Sequence, residues 1–123
     1  MDKALYIAMT GARASLQAQG TVSHNLANAD TAGFKAVLAN TEAFPVRGAG
    51  YPSRVAALHV DQGFNSSVGA QRVTGNPLDV SLHADRWLAV QAPGGGEAYT
   101  RAGNLSLTPN GQLVTAGGHP VLD

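Results

Sequence analysis

Hydrophobic and small side chains recur at alternating steps of four and three residues along the first part of the chain. A seam with this alternation is typical of a helix that packs lengthwise against a second helix. The pattern predicts a helix from about residue 2 to residue 29, although Gln19 and Ser23 weaken the second half of the seam. The seam residues are Leu5, Met9, Ala12, Leu16, Gln19, Ser23 and Leu26.

This helix has two alternative partners, which are the protein's own sheet and a helix of another chain. At 1.5 Å per residue it is about 40 Å long, which is more than a small β domain covers. Its seam carries too few large apolar side chains to stabilise an isolated helix. We therefore expect another chain to cover the helix and order it, and we expect the seam to serve assembly.

A turn and an irregular segment are predicted after the helix. Gly33 suits a positive φ that stops the helix, and residues 36–55 carry no periodicity. Pro and Gly interrupt that segment at Pro45, Gly48, Gly50 and Pro52. We expect an assembly helix over residues 1–30, an extended connector over 31–65, and the first part of a β-rich domain over 66–123.

Short candidate strands recur from Val55 onward, which predicts antiparallel hairpins and an α+β fold that is mostly β. Two turns are explicit, Pro93-Gly94-Gly95-Gly96 and Pro109-Asn110-Gly111, and Gly117-Gly118 turns the chain again. The candidate strands are Val55–Val60, Ser67–Val73, Leu78–Leu82, Trp87–Gln91, Ala98–Arg101, Leu105–Thr108, Gln112–Thr115 and Pro120–Leu122.

Composition narrows the function classes. Eight Lys and Arg residues balance eight Asp and Glu residues, so no basic surplus favours a nucleic-acid partner. Only 13% of the residues are charged, which suits a subunit covered by neighbours. The chain has no Cys, which excludes disulfides and thiolate metal sites. The short apolar run Ala4–Met9 imitates a secretory signal, but the helical pattern continues beyond it, so we expect no cleaved signal peptide.

No set of residues has the spacing of a catalytic or ligand site. The Gly run 94–96 precedes a strand, not a helix, so it indicates a hairpin and not a phosphate loop. Asp79 is more typical of a turn that begins at Asn76 than of a pair with Asp85. The four His residues are scattered along the chain: His24, His59, His83 and His119. We expect no enzyme activity, no metal, no cofactor and no small-molecule substrate.

Two blocks of the sequence resemble the flagellar rod and hook family of axial proteins, and the opening residues 1–6 look most like its proximal rod subtype. The N-terminal signature comprises Asn25, Leu26, Ala27, Asn28, Thr31, Gly33, Phe34 and Lys35. The β-domain signature comprises Asn76, Pro77, Leu78, Asp79, Tyr99, Thr100, Arg101 and Gly103. Segment 83–88 departs from the Gly- and Phe-rich strand common in that family.

The resemblance implies a structural subunit of the flagellar basal-body rod in the periplasmic space. It implies assembly with other rod subunits through the N-terminal helix, and export through the flagellar type III apparatus without a cleaved signal. Family members continue into the rest of the β domain and a C-terminal helix, so we expect this sequence to be an N-terminal part of such a protein.

Two alternatives remain open from the sequence. The first is a distal rod or hook subunit of the same family, which a complete C-terminal sequence would distinguish. The second, from another class, is a secreted β-rich binding module or adhesin whose N-terminal helix is a tether. That alternative predicts that deleting residues 1–30 leaves ligand binding intact.

Overall fold

The computed structural model describes residues 2–48 and 55–123, and it contains one helix followed by pairs of antiparallel strands. The α+β class, mostly β, is therefore confirmed. The chain divides into a helix–hairpin unit, Met1–Ala29 with Ala36–Asn65, and a β-rich unit, Asp30–Lys35 with Ser66–Asp123. The elements are α1 (Asp2–Ala27), β1 (Val37–Pro45), β2 (Val55–Phe64), β3 (Leu88–Gln91), β4 (Glu97–Thr100), β5 (Leu105–Leu107) and β6 (Leu113–Thr115).

Helix α1 forms where the sequence predicts it. The segment is rich in Ala, which has the highest helix propensity. The helix ends at Ala27, where the Asn28 side chain donates a hydrogen bond to the His24 carbonyl at 2.9 Å. This end lies two residues before the predicted end at residue 29, and Gly33 has the expected positive φ in the turn that follows. Among the described residues, no helix has the length and apolar character needed to cross a membrane.

Residues 37–45, predicted as part of an irregular connector, form strand β1 instead. Strands β1 and β2 make an antiparallel hairpin, with Thr41 opposite His59 and a bulge after Leu38. Each strand has nine or ten residues. The strand pairing overrides the weak local pattern, because each backbone N–H and C=O facing the partner strand gains a hydrogen bond. The predicted breaks at Gly50 and Pro52 lie outside the described residues.

Helix α1 packs on this hairpin, so the expectation that only another chain would order the helix is wrong. Ala14 is 4% exposed at the centre of the contact. The length argument failed because ten-residue strands span about 33 Å, nearly the whole length of α1. The side of the helix in contact is not the predicted seam.

The β-rich unit contains the two hairpins that the turn sequences predict. In the first, β3 pairs with β4, and the Ala92 N–H donates to the Gly96 carbonyl at 2.7 Å. In the second, β5 pairs with β6 around Gly111, whose φ is 81°. Val90 and Leu105 are buried. The Asn-Gly turn thus fixes its hairpin as expected.

Three other strand predictions fail wholly or partly. Residues 67–73, predicted as a strand, form none. Leu78–Leu82 retains one bridge, between Asp79 and Asn104, and Pro120–Leu122 retains bridges at its first two residues. These segments lack the continuous pairing that a regular strand requires.

Candidate assembly surface

The two sides of helix α1 have different environments. The residues facing the hairpin are buried or half-buried, whereas Leu16 of the seam is 66% exposed and Leu26 is 74% exposed. At 3.6 residues per turn, the seam lies about 180° around the helix from Ala14. All seven predicted seam residues are exposed: Leu5, Met9, Ala12, Leu16, Gln19, Ser23 and Leu26.

The hairpin-facing side consists mainly of small and polar residues that the sequence analysis did not single out. The Thr10 hydroxyl donates to the Ile7 carbonyl at 2.7 Å and accepts the Ala57 N–H at 3.3 Å. Small side chains at Ala14 and Ala18 allow the strands to approach closely. The helical spacing of these two Ala residues was visible in the sequence, but the larger apolar residues of the seam formed the stronger helical pattern.

Asn25, the first residue of the N-terminal signature, connects the end of α1 to the start of β1. Its Nδ2 donates to the Val37 carbonyl at 3.0 Å, and its Oδ1 accepts the Val37 N–H at 2.9 Å. An amide side chain is suited to this role because it carries both a donor and an acceptor. The first residue of the signature therefore binds backbone groups of its own chain.

Replacing Asn25 by Ala should destabilise the helix–hairpin unit by about 2 kcal/mol, since two half-buried backbone hydrogen bonds are lost. Hydrogen exchange at the Val37 amide should accelerate. Asn25→Asp is the matched control, because it keeps the acceptor for the Val37 N–H and places a second acceptor against the carbonyl. Unchanged exchange at Val37 in both variants would contradict the assignment.

Most other residues of the N-terminal signature shape the turn after the helix. Asn28 bonds to His24, as described above, and the Phe34 N–H donates to the Thr31 carbonyl at 3.2 Å. Phe34 is half-buried. Leu26 and Ala27 are exposed, and of these two Leu26 also belongs to the seam. The signature therefore combines chain-shaping residues with at least one exposed apolar side chain.

Gly33 and Lys35 make the closest contacts of the signature within the β-rich unit. Gly33 has a φ of 71°, and a Cβ added there would overlap the backbone carbonyl of Arg101. The Lys35 ammonium donates to the Ser66 carbonyl at 2.8 Å and to the Ser67 carbonyl at 3.2 Å. Gly33 has no side chain, and the Lys35 ammonium is bound to backbone carbonyls. Neither residue therefore offers a side-chain group to a ligand.

The Asn76–Asp79 part of the β-domain signature is a self-contained turn. The Asp79 carboxylate accepts hydrogen bonds from the Thr74 hydroxyl at 2.6 Å and from Asn76 Nδ2 at 3.1 Å. Asn76 Oδ1 in turn accepts the Leu78 N–H at 3.2 Å across Pro77. Asp79 is therefore engaged in holding the turn, as the sequence analysis expected, and not in acid–base chemistry.

Arg101 organises the loop that departs from the family pattern. Its guanidinium donates to the carbonyls of Leu82, His83, Ala84 and Arg86 at 2.6–3.3 Å. It also lies over the Trp87 ring, 5.7 Å from the centroid. Trp87, predicted as the first residue of a strand, instead precedes β3 and is 44% exposed.

The remaining β-domain signature residues lie next to Arg101 in sequence. A Cβ on Gly103 would overlap the Val80 carbonyl, and the Val80 N–H donates to the Gly103 carbonyl at 2.8 Å. The Thr100 hydroxyl accepts the Ala102 N–H at 3.1 Å. Tyr99 is exposed, and its hydrogen bond to the Glu97 carboxylate, together with that negative charge, raises the pKa of Tyr99.

A shallow groove of about 400 Å³ runs beside α1, but its lining does not converge on a ligand. His59 Nε2 lies 3.5 Å from Asp61 Oδ1 there. Within residues 2–48 and 55–123, no group of three or more His, Asp or Glu residues is arranged to hold a metal ion. The groove is lined by Gln17, Gly20, Thr21, His24, Val37, His59 and Asp61.

Comparison with known protein families matches the N-terminal signature and the part of the β-domain signature from Tyr99 to Gly103. Residues 5–35 match the flagella basal body rod protein family, and residues 82–123 match the flagellar hook protein FlgE/F/G D1 domain. The flagellar basal-body rod protein FlgF of Escherichia coli K12 is 44% identical over 122 residues, which cover 99% of this chain and 48% of that relative. Both ends of the chain thus match domains of flagellar rod and hook proteins.

Further relatives extend this family assignment. FlgF of Salmonella typhimurium LT2 is also 44% identical over 122 residues, covering 99% of this chain and 48% of that protein. The flagellar basal-body rod protein FlgG of Agrobacterium fabrum is 31% identical over 140 residues, covering 98% of this chain and 52% of that protein. The chain spans about half the length of these curated relatives. The rod-family match covers α1 from residue 5 onward and the whole N-terminal signature.

Proposed function

We propose that this chain is part of a structural subunit of the flagellar basal-body rod and that α1 carries assembly through its seam. The observation behind this proposal is that Leu5, Met9 and Leu16 are exposed on the side of α1 facing away from the hairpin. The hairpin already stabilises the helix, so the seam is not needed for folding of this unit. A row of apolar side chains left in solvent is typical of a protein–protein interface.

The partners in this proposal are copies of the same subunit and other axial subunits of the rod. Similarity to FlgF, a basal-body rod protein by name, favours the proximal rod subtype over the hook. The proposed location is the rod within the periplasmic space, reached through the flagellar export apparatus without a cleaved signal peptide. We assign no catalytic step, cofactor, nucleic-acid partner or small-molecule substrate to the subunit.

Deleting the gene from a flagellated cell tests the proposal. We expect cells that do not swim, with basal bodies lacking a completed rod in electron micrographs of purified particles. A plasmid copy of the gene should restore both. Normal swimming combined with loss of surface attachment would reject the rod assignment and favour the adhesin alternative.

A second candidate is a different rod subtype, and its support is the lower similarity to FlgG, 31% identity over 140 residues. The same deletion strain separates the two subtypes. A rod that ends close to its membrane-proximal base indicates the proximal subtype, whereas a rod that is missing only its outer portion indicates the distal one.

A further inference from the structure

Two points where the chain passes between the units lie next to each other. The chain changes unit at residues 29–30, 35–36 and 65–66. The last two points are adjacent because the Asn65 N–H donates to the Ala36 carbonyl at 2.8 Å. Beside this bond, the Lys35 ammonium donates to the carbonyls of Ser66 and Ser67 at 2.8 and 3.2 Å. One side chain thus holds the segment that returns to the β-rich unit.

The returning segment has little burial and no regular secondary structure. Residues 66–77 contain no helix or strand and are exposed throughout, and Val73 is 97% exposed. Further along the segment, Gln71 Nε2 donates to the Ser81 hydroxyl at 3.0 Å and the Thr74 hydroxyl donates to the Asp79 carboxylate at 2.6 Å. A segment with so little burial opens readily unless specific hydrogen bonds hold it.

The chemistry of Lys35 suits this role. An ammonium group has three donors and no acceptor, so it can bind two carbonyl oxygens at once. Among the described residues, the ion pairs are His59–Asp61 and His83–Asp85, and Lys35 belongs to neither. Its charge is therefore directed at backbone oxygens, where charge-assisted hydrogen bonds are stronger than neutral ones.

We propose that Lys35 is a positioning residue that fixes the return of the chain into the β-rich unit by holding the Ser66 and Ser67 carbonyls. Loss of its ammonium releases residues 66–77 locally while both units stay folded. The proposal goes beyond the assembly role, because it concerns a single chain and needs no partner subunit.

Limited proteolysis of the purified chain with trypsin tests this proposal, because Arg72 lies in the middle of the returning segment. Cleavage after Arg72, followed by mass spectrometry under native conditions, reports local opening. Lys35→Met keeps most of the side-chain length and removes the donors, and it should accelerate this cleavage by about tenfold. Lys35→Arg keeps N–H donors at this position, so this variant should be cleaved after Arg72 at nearly the wild-type rate.

Lys3→Met is the matched control, since it removes one exposed Lys from the start of α1 and should leave cleavage after Arg72 unchanged. An unchanged rate in Lys35→Met would overturn the proposal. So would an equal acceleration after Arg13 and Arg101, because that pattern indicates general unfolding. None of these outcomes depends on rod assembly, so this proposal and the proposed function can fail separately.

Discussion

Replacing Leu16 by Asp should abolish swimming while leaving the fold of this chain intact. Leu16 is 66% exposed in the centre of the seam, so the free energy of unfolding of the purified chain should change by less than about 0.5 kcal/mol. In an assembled rod the same position would be buried. A buried Leu contributes about 1.5–3 kcal/mol, and a buried unpaired carboxylate costs more.

The combined penalty should weaken each subunit contact by at least about 100-fold. Swimming in soft agar and rod completion in purified basal bodies measure the effect, and thermal unfolding of the purified chain checks the fold. Gln17→Asp is the matched control, since it adds the same charge at the next position, to the side of the seam. Normal swimming with Leu16→Asp, or equal loss in both variants, would contradict assembly through the seam.

The local elements were predictable where a strong short-range signal exists. The helix follows from Ala-rich composition and apolar spacing, and the β5–β6 hairpin follows from Asn110-Gly111, because each signal acts within a few residues. Strand β1 was missed because its stability depends on pairing with β2. The pair closest in sequence is Pro45 with Val55, and the other pairs are further apart along the chain. Long-range pairing leaves little trace in a local pattern.

The signature residues could be recognised in the sequence, but the groups that their side chains bind could not be predicted from it. Asn25 and Lys35 of the N-terminal signature each bind backbone groups of the same chain, which the resemblance to axial proteins did not predict. The same is true of Arg101 and its carbonyl partners. Hydrogen bonds to distant backbone groups depend on the fold, so no spacing rule reveals them. The seam depends only on the helical period, and its seven residues are exposed on one side of α1, but their role in assembly stays a prediction.

Gly33→Ala should strongly destabilise the β-rich unit. A Cβ there would need a positive φ, which costs a non-Gly residue about 1–2 kcal/mol. It would also overlap the Arg101 carbonyl, and relieving overlap in a packed site costs about 1–3 kcal/mol more. The expected loss is about 3 kcal/mol, or a decrease in Tm of at least about 12 °C for a unit of this size.

Two other glycines of the same unit separate these causes. Gly75 has a φ of 76° with open space around its Cβ position, and Gly94 has open space without a positive φ. Gly94→Ala should be nearly neutral, Gly75→Ala should cost about 1–2 kcal/mol from the backbone alone, and Gly33→Ala should exceed both. Thermal unfolding of the three variants measures the series. If Gly33→Ala costs no more than Gly75→Ala, the contact between Gly33 and the Arg101 backbone does not constrain this turn, and positive φ alone explains the glycine.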